Sequence, residues 1–233
     1  MEIENIVMDG VPGVIARPAT PPRAGVVVLQ EAFGLTGHIR SICGRLAAEG
    51  YTVIAPALYH RDGAPVIDYS RVEEAMTFMA KLDIREMESD IAAALAALRD
   101  EGFDAARTAV LGFCMGGSVA LHGATRFDLG AVITFYGGGI SAGRFGMPPL
   151  EELAPSIGCP WLGLYGEQDP TIPLDDIEAL RQALQRSRAD TRLVTYPDGG
   201  HGFNCDERPS FVPAAAAAAW SETIAFLGER VSG

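Results

Sequence analysis

Closely spaced cysteines are missing from this sequence. Its four, Cys43, Cys114, Cys159 and Cys205, lie far apart with no C-x-x-C pair, which excludes the usual zinc and dithiol redox patterns. Positive charge is also short. The 18 lysines and arginines stand against 30 acids, and the net charge of -12 argues against nucleic acid or an anionic membrane as a partner, because phosphates would be repelled. No apolar run exceeds strand length, so no membrane span is expected. The opening MEIENIVMDG is acidic and lacks the basic and apolar regions of a secretory signal. A cytoplasmic protein with free thiols is the resulting expectation. Cys43, on a helix, and Cys159, just before a strand, read as buried hydrophobes.

What is present is an alternation of short β-rich runs with helical patterns, the signature of a mostly parallel sheet covered on both faces. Strands are predicted at 26–30, 51–58, 108–113, 131–137, 161–169 and 191–197. Helices are predicted at 38–50, 71–100, after Cys114, at 173–188 and at 212–230. In the second of these, Met87, Ile91, Ala94, Leu95 and Leu98 share a face. Leu174, Ile177 and Leu184 do so in the fourth. The first 25 residues read as a β-hairpin around DGVPG ending in a Pro-rich loop. With no linker and no repeat, residues 1–233 are expected to form a single α/β domain.

The segment LGFCMGGS (111–118) places Cys114 between a strand and a helix, with Gly112 two residues before it and Gly116 two after. That is the G-x-nucleophile-x-G pattern of a nucleophile elbow. A cysteine nucleophile needs a base to take its proton and a third group to orient the base. Of four histidines, His201 in DGGHGF follows the last predicted strand, at the carboxyl edge of the sheet. His122 falls mid-helix and reads as structural or solvated, and His38 and His60 as surface residues. Asp169 ends the strand WLGLYGEQD and is the candidate acid. The order Cys114, Asp169, His201 is that of α/β-hydrolases, and all three lie where open α/β sheets bind ligands. Met115 would supply one oxyanion N–H and the loop 29–35 a second. Glu31 on that loop reads either as a solvated acid or as a group controlling the protonation of the nucleophile.

The motifs GFCMGG, QEAFGL, GEQD and GGHGF, in this order over nearly the whole chain, resemble the dienelactone hydrolase family (carboxymethylenebutenolidases) of the α/β-hydrolase fold. The resemblance implies a mostly parallel sheet with helices on both faces and no large cap domain. It implies that Cys114 attacks a lactone or ester carbonyl, with His201 and Asp169 completing a triad and an acyl-cysteine intermediate. It further implies that Glu31 hydrogen-bonds the resting thiol and moves when substrate arrives, and that Ala32 provides the second oxyanion N–H. Tyr136 matches a pocket-lining tyrosine of the family, though plain packing is an equal reading. No cofactor or metal is implied.

Departures concern the substrate. In members cleaving dienelactones, two arginines grip the substrate carboxylate, one of them a few residues after the histidine. Here the sequence is HGFNCDER, so Cys205 stands near that position and Arg208 is the next arginine. Arg71 and Arg61 are the candidates for the other. A disulfide between Cys205 and Cys114, silencing the site under oxidation, is a further reading. The expected partner is a small ester or lactone, and the expected state a monomer or small homo-oligomer. The alternatives are a carboxylesterase or thioesterase acting on a neutral or bulkier ester, and a non-catalytic protein using Cys114 as a reactive thiol.

Overall fold

The continuous apolar runs become the middle of one sheet. The computed structural model describes residues 3–231. Its strands are β1 (Ile3–Met8), β2 (Val11–Ala16), β3 (Ala24–Leu29), β4 (Tyr51–Pro56), β5 (Thr108–Phe113), β6 (Ala131–Phe135), β7 (Trp161–Gly166) and β8 (Thr191–Tyr196). Its helices are α1 (Gly37–Ala48), α2 (Val72–Met79), α3 (Ile84–Asp100), α4 (Met115–Gly123), the short α5 (Leu150–Leu153), α6 (Leu174–Leu184) and α7 (Pro213–Arg230). The strand order is β1-β2-β4-β3-β5-β6-β7-β8. The β1–β2 hairpin joins β4 antiparallel, and every later neighbour pair is parallel. Every residue of β3 to β7 is buried, as expected of strands covered on both faces.

This topology places the site. The chain runs outward from β3 to β4, then returns to the other side of β3 with β5. The strand order therefore reverses between β3 and β5, and open α/β sheets bind ligands at the carboxyl ends of strands beside such a reversal. Glu31 and Ala32 follow β3, and Cys114 follows β5.

Several expectations need correction. The helix predicted over 71–100 is two, α2 and α3. The Asp83 carboxylate accepts the Arg85 N–H at 2.9 Å as an N-cap, and the Ile84 N–H is drawn away to Phe145 O at 2.8 Å. The strand predicted to 169 stops at Gly166, and Asp169 lies in the turn beyond. Leu174 does not share the buried face of α6 but is 55% exposed; Leu180 takes that place beside Ile177. The hairpin turns at Asp9 and Gly10, both with positive φ, as two-residue turns between twisted strands require.

His38 and His60 are not surface residues. His38 is buried, with Nδ1 3.0 Å from Asp206, and His60 pairs with the buried Asp90. His122 is structural, bonded to Glu88 at 2.7 Å. Cys43 and Cys159 are buried, and burial pushes both thiols up to about 12. No helix among the described residues is long and apolar enough to cross a membrane.

Candidate active site

Cys114 directly follows β5 and is the N-cap of α4, at φ 52° and ψ -116°. A side chain in that region strains the backbone, a condition that clusters at functional sites. The flanking glycines make the turn sterically possible. A Cβ on Gly112 would collide with the carbonyl of Gly116, and one on Gly116 with the carbonyls of Leu29 and Gln30. Strand, turn and helix thus approach too closely for any side chain at either position. Cys114 N–H is held by Phe135 O at 3.0 Å, which ties the elbow to β6.

Two neighbouring loops bring up the other groups. The turns after β7 and β8 are pinned together by Gln168 N–H to Gly199 O at 2.8 Å, across a contact between Gly166 and Gly199 with no room for a Cβ. His201 Nε2 thereby lies 3.1 Å from Cys114 Sγ, and His201 Nδ1 lies 2.7 Å from Asp169 Oδ2. Thr171 completes the support. Its N–H and hydroxyl donate to Asp169 Oδ1 at 2.8 and 2.7 Å, and its Oγ1 is 3.1 Å from His201 Nδ1. Asp169 is buried. Burial opposes its ionisation, but hydrogen bonds from His201 and Thr171 hold its carboxyl below the usual range. For His201, burial alone would disfavour the imidazolium. A thiolate at Cys114 and the carboxylate of Asp169 outweigh that and raise its pKa to about 10.

Among the described residues, neither the Met115 nor the Ala32 N–H donates to another protein group. Both are therefore available to an oxyanion.

Glu31 differs from the expectation. It does not hydrogen-bond the thiol, which faces His201 instead. The buried Glu31 carboxylate accepts from Tyr69 at 3.1 Å and from Tyr136 at 3.3 Å, and Arg208 Nη1 lies 3.6 Å away. Tyr136 also sets its ring edge-on to His201 at 5.3 Å. The Arg208 guanidinium lies over the rings of Phe33 and Tyr69, at 5.6 and 5.7 Å, and its buried Nη1 has no hydrogen-bond acceptor.

Arg71 is not brought to this cluster. It is 65% exposed and pairs with Glu74 at 2.7 Å, one turn along α2. Arg61 is spent on Asp90, with bonds of 2.8 and 2.9 Å. Cys205 is wholly buried and unbonded to Cys114. Burial and the neighbouring Glu31 charge push its thiol up to about 12. Tyr69 and Thr171 are site residues that sequence reasoning missed. A threonine two residues after an acid is a turn signal that points to Thr171; nothing local marks Tyr69. Among the described residues no three His, Cys, Asp or Glu side chains gather as metal ligands.

The sequence model of the dienelactone hydrolase family matches residues 11–231. The chain belongs to that family. Membership makes it an ester or lactone hydrolase of the α/β-hydrolase fold. A Salmonella typhimurium protein provisionally named carboxymethylenebutenolidase is 37% identical over 226 residues, covering 95% of this chain and 83% of that one. A provisionally assigned dienelactone hydrolase from Klebsiella pneumoniae superposes with a TM-score of 0.89 at 32% identity, covering 98% of both chains. A dienelactone hydrolase-like promiscuous phosphotriesterase from metagenomic libraries superposes with a TM-score of 0.81, covering 100% of this chain and 99% of that one. At 24% identity that likeness speaks for the fold alone.

Proposed function

We propose that this family member hydrolyses an activated ester or lactone through an acyl-cysteine on Cys114. The observation carrying the reading is the hydrogen-bonded series from Cys114 Sγ through both nitrogens of His201 to Asp169, at 3.1 and 2.7 Å. In the acylation step the sulfur of Cys114 bonds to the carbonyl carbon, and the carbonyl electron pair moves onto oxygen. The N–H groups of Ala32 and Met115 receive that oxyanion. Collapse expels the alkoxide or enolate, which takes the proton held on His201 Nε2. Water, deprotonated by His201, then attacks the thioester and releases the acid and the thiol.

A thiolate is itself a good leaving group. A cysteine nucleophile therefore suits substrates whose own leaving group is stabilised, such as the enolate of an enol lactone, better than amides. Arg208, with one buried nitrogen lacking an acceptor, supports a substrate that carries a carboxylate. A second reading, a carboxylesterase or thioesterase acting on neutral esters, draws on two observations. Cys205 stands near the position where dienelactone-cleaving relatives place an arginine, and Arg71 faces solvent.

The deciding measurement is kcat/KM on a dienelactone carboxylate beside a neutral aryl ester of similar size, with Cys114→Ala as control. Expected is loss of all turnover in the variant and a preference for the anion that Arg208→Ala removes. A preference for the neutral ester would transfer the assignment to the second reading. Normal turnover by Cys114→Ala would end the acyl-cysteine mechanism altogether.

A further inference from the structure

Tyr59 lies outside the hydrogen-bonded series of Cys114, His201 and Asp169, yet it touches both residues whose N–H groups would hold the oxyanion. Its hydroxyl donates to Ala32 O at 3.0 Å, and the same oxygen is 3.7 Å from Met115 Sδ. We propose that Tyr59 is the positioning residue of the oxyanion hole: its hydroxyl holds the Ala32 peptide so that the preceding N–H is set before substrate arrives. The inference rests on the reading of Cys114 as nucleophile and of Ala32 and Met115 as oxyanion donors.

The loop after β3 is irregular, so no ladder of strand hydrogen bonds fixes its peptide planes. The Ala32 N–H shares a plane with the Glu31 carbonyl, and turning that carbonyl would turn the donor away. What holds the Glu31 carbonyl is weak: the Gln30 side-chain amide and the Gly34 N–H, each at 3.4 Å. One residue earlier, Gln30 O accepts from Gly116 N–H at 3.2 Å. The Tyr59 bond is the shortest of these four. It fixes the very next plane, leaving only the two Ala32 dihedrals between it and the donor.

Tyr59 is built to do this. Its carbonyl accepts the N–H groups of Asp62 and Ala64, both at 2.9 Å, which closes a tight turn behind it. The next two side chains, His60 and Arg61, grip the wholly buried Asp90 of α3 at 3.1, 2.8 and 2.9 Å. The phenol is buried, and burial, with the charge of a Cys114 thiolate nearby, pushes its pKa upward. The hydroxyl therefore stays a neutral donor over the working pH range. An ordinary core tyrosine satisfying a stray carbonyl would have the same bond but no bearing on rate, and kinetics separates the two.

The test is Tyr59→Phe, which removes one oxygen and leaves the ring packed on Phe78. Losing an oxyanion donor outright costs about 10²–10³ in kcat, so loosening one is expected to cost roughly 10- to 100-fold in kcat with KM little changed. Alkylation of Cys114 by iodoacetamide needs the thiolate but forms no oxyanion, and its rate is expected to match wild type. Retention of kcat within about twofold would overturn the proposal. So would a fall in alkylation parallel to the fall in kcat, since the damage would then lie at the thiol. Failure of the underlying reading shows differently, as turnover persisting in Cys114→Ala.

Discussion

His201 is where the charges of the site meet. Facing it are the Cys114 sulfur on one nitrogen, Asp169 and Thr171 on the other, and the edge of the Tyr136 ring. Burial works against the imidazolium, and the Cys114 charge is the largest influence in its favour, so the folded value of about 10 lies above the ordinary value of about 6.5. The sign follows. The stabilisation from this proton is fully present below about pH 6.5 and is lost as pH rises through about 10. NMR of the imidazole is expected to show His201 still protonated at about pH 8, and titrating back toward about 6.5 in Cys114→Ala. Titration near 6.5 in the wild type would remove the thiolate–imidazolium pair from the account. At this scale the three candidates were legible because each sits beside a local signal: a glycine-flanked turn or the end of an apolar strand. The partners of Glu31 were not. Tyr69 and Tyr136 lie 38 and 105 positions along the chain, and no local pattern encodes such a meeting.

At the scale of elements, α3 does more than cover the sheet. Its amphipathic face buries Met87, Ile91, Ala94 and Leu98, as the spacing predicts, with Leu95 partly covered. The same helix buries Asp90, whose partners Arg61 and His60 sit in the turn after β4. Replacing Asp90 by alanine leaves the Arg61 guanidinium only its longer pair with the exposed Glu86, at 3.7 Å. Breaking a fully buried pair costs about 3–5 kcal/mol. Arg61 keeps 36% of its side chain in water, so the expected loss is smaller, about 2–3 kcal/mol in urea unfolding. A change under about 0.5 kcal/mol would mean that Asp90 does not anchor the turn. The central strands were legible because a short, continuous apolar run bounded by turn residues suits a strand buried on both faces. The break between α2 and α3 was missed because apolar periodicity does not register a cap. Asp83 ends one pattern and starts another without interrupting the hydrophobic count.

Across the whole molecule, the net charge of -12 surrounds a site with one half-neutralised arginine. An anionic substrate approaches against that field, and salt screens it over about 10 Å at 0.1 M. For a dienelactone carboxylate, kcat/KM is expected to rise as salt goes from 0.01 to about 0.15 M, by roughly two- to threefold, while a neutral ester shows no change. A fall with salt for the anion would mean that local arginines dominate the approach, leaving the acidic surface without influence on capture.

The central strands, the glycine-flanked turn at Cys114 and the order of the proposed nucleophile, acid and base follow from local chemistry: apolar runs, glycines where no Cβ fits, and turns that end strands. Those features act over a few residues and need no partner elsewhere in the chain. The environment of Glu31, the solvent-facing position of Arg71 and the link from Tyr59 to Ala32 came from folding. Each depends on which side chains a twisted sheet brings together from distant segments, and contacts of that kind are decided by packing in three dimensions.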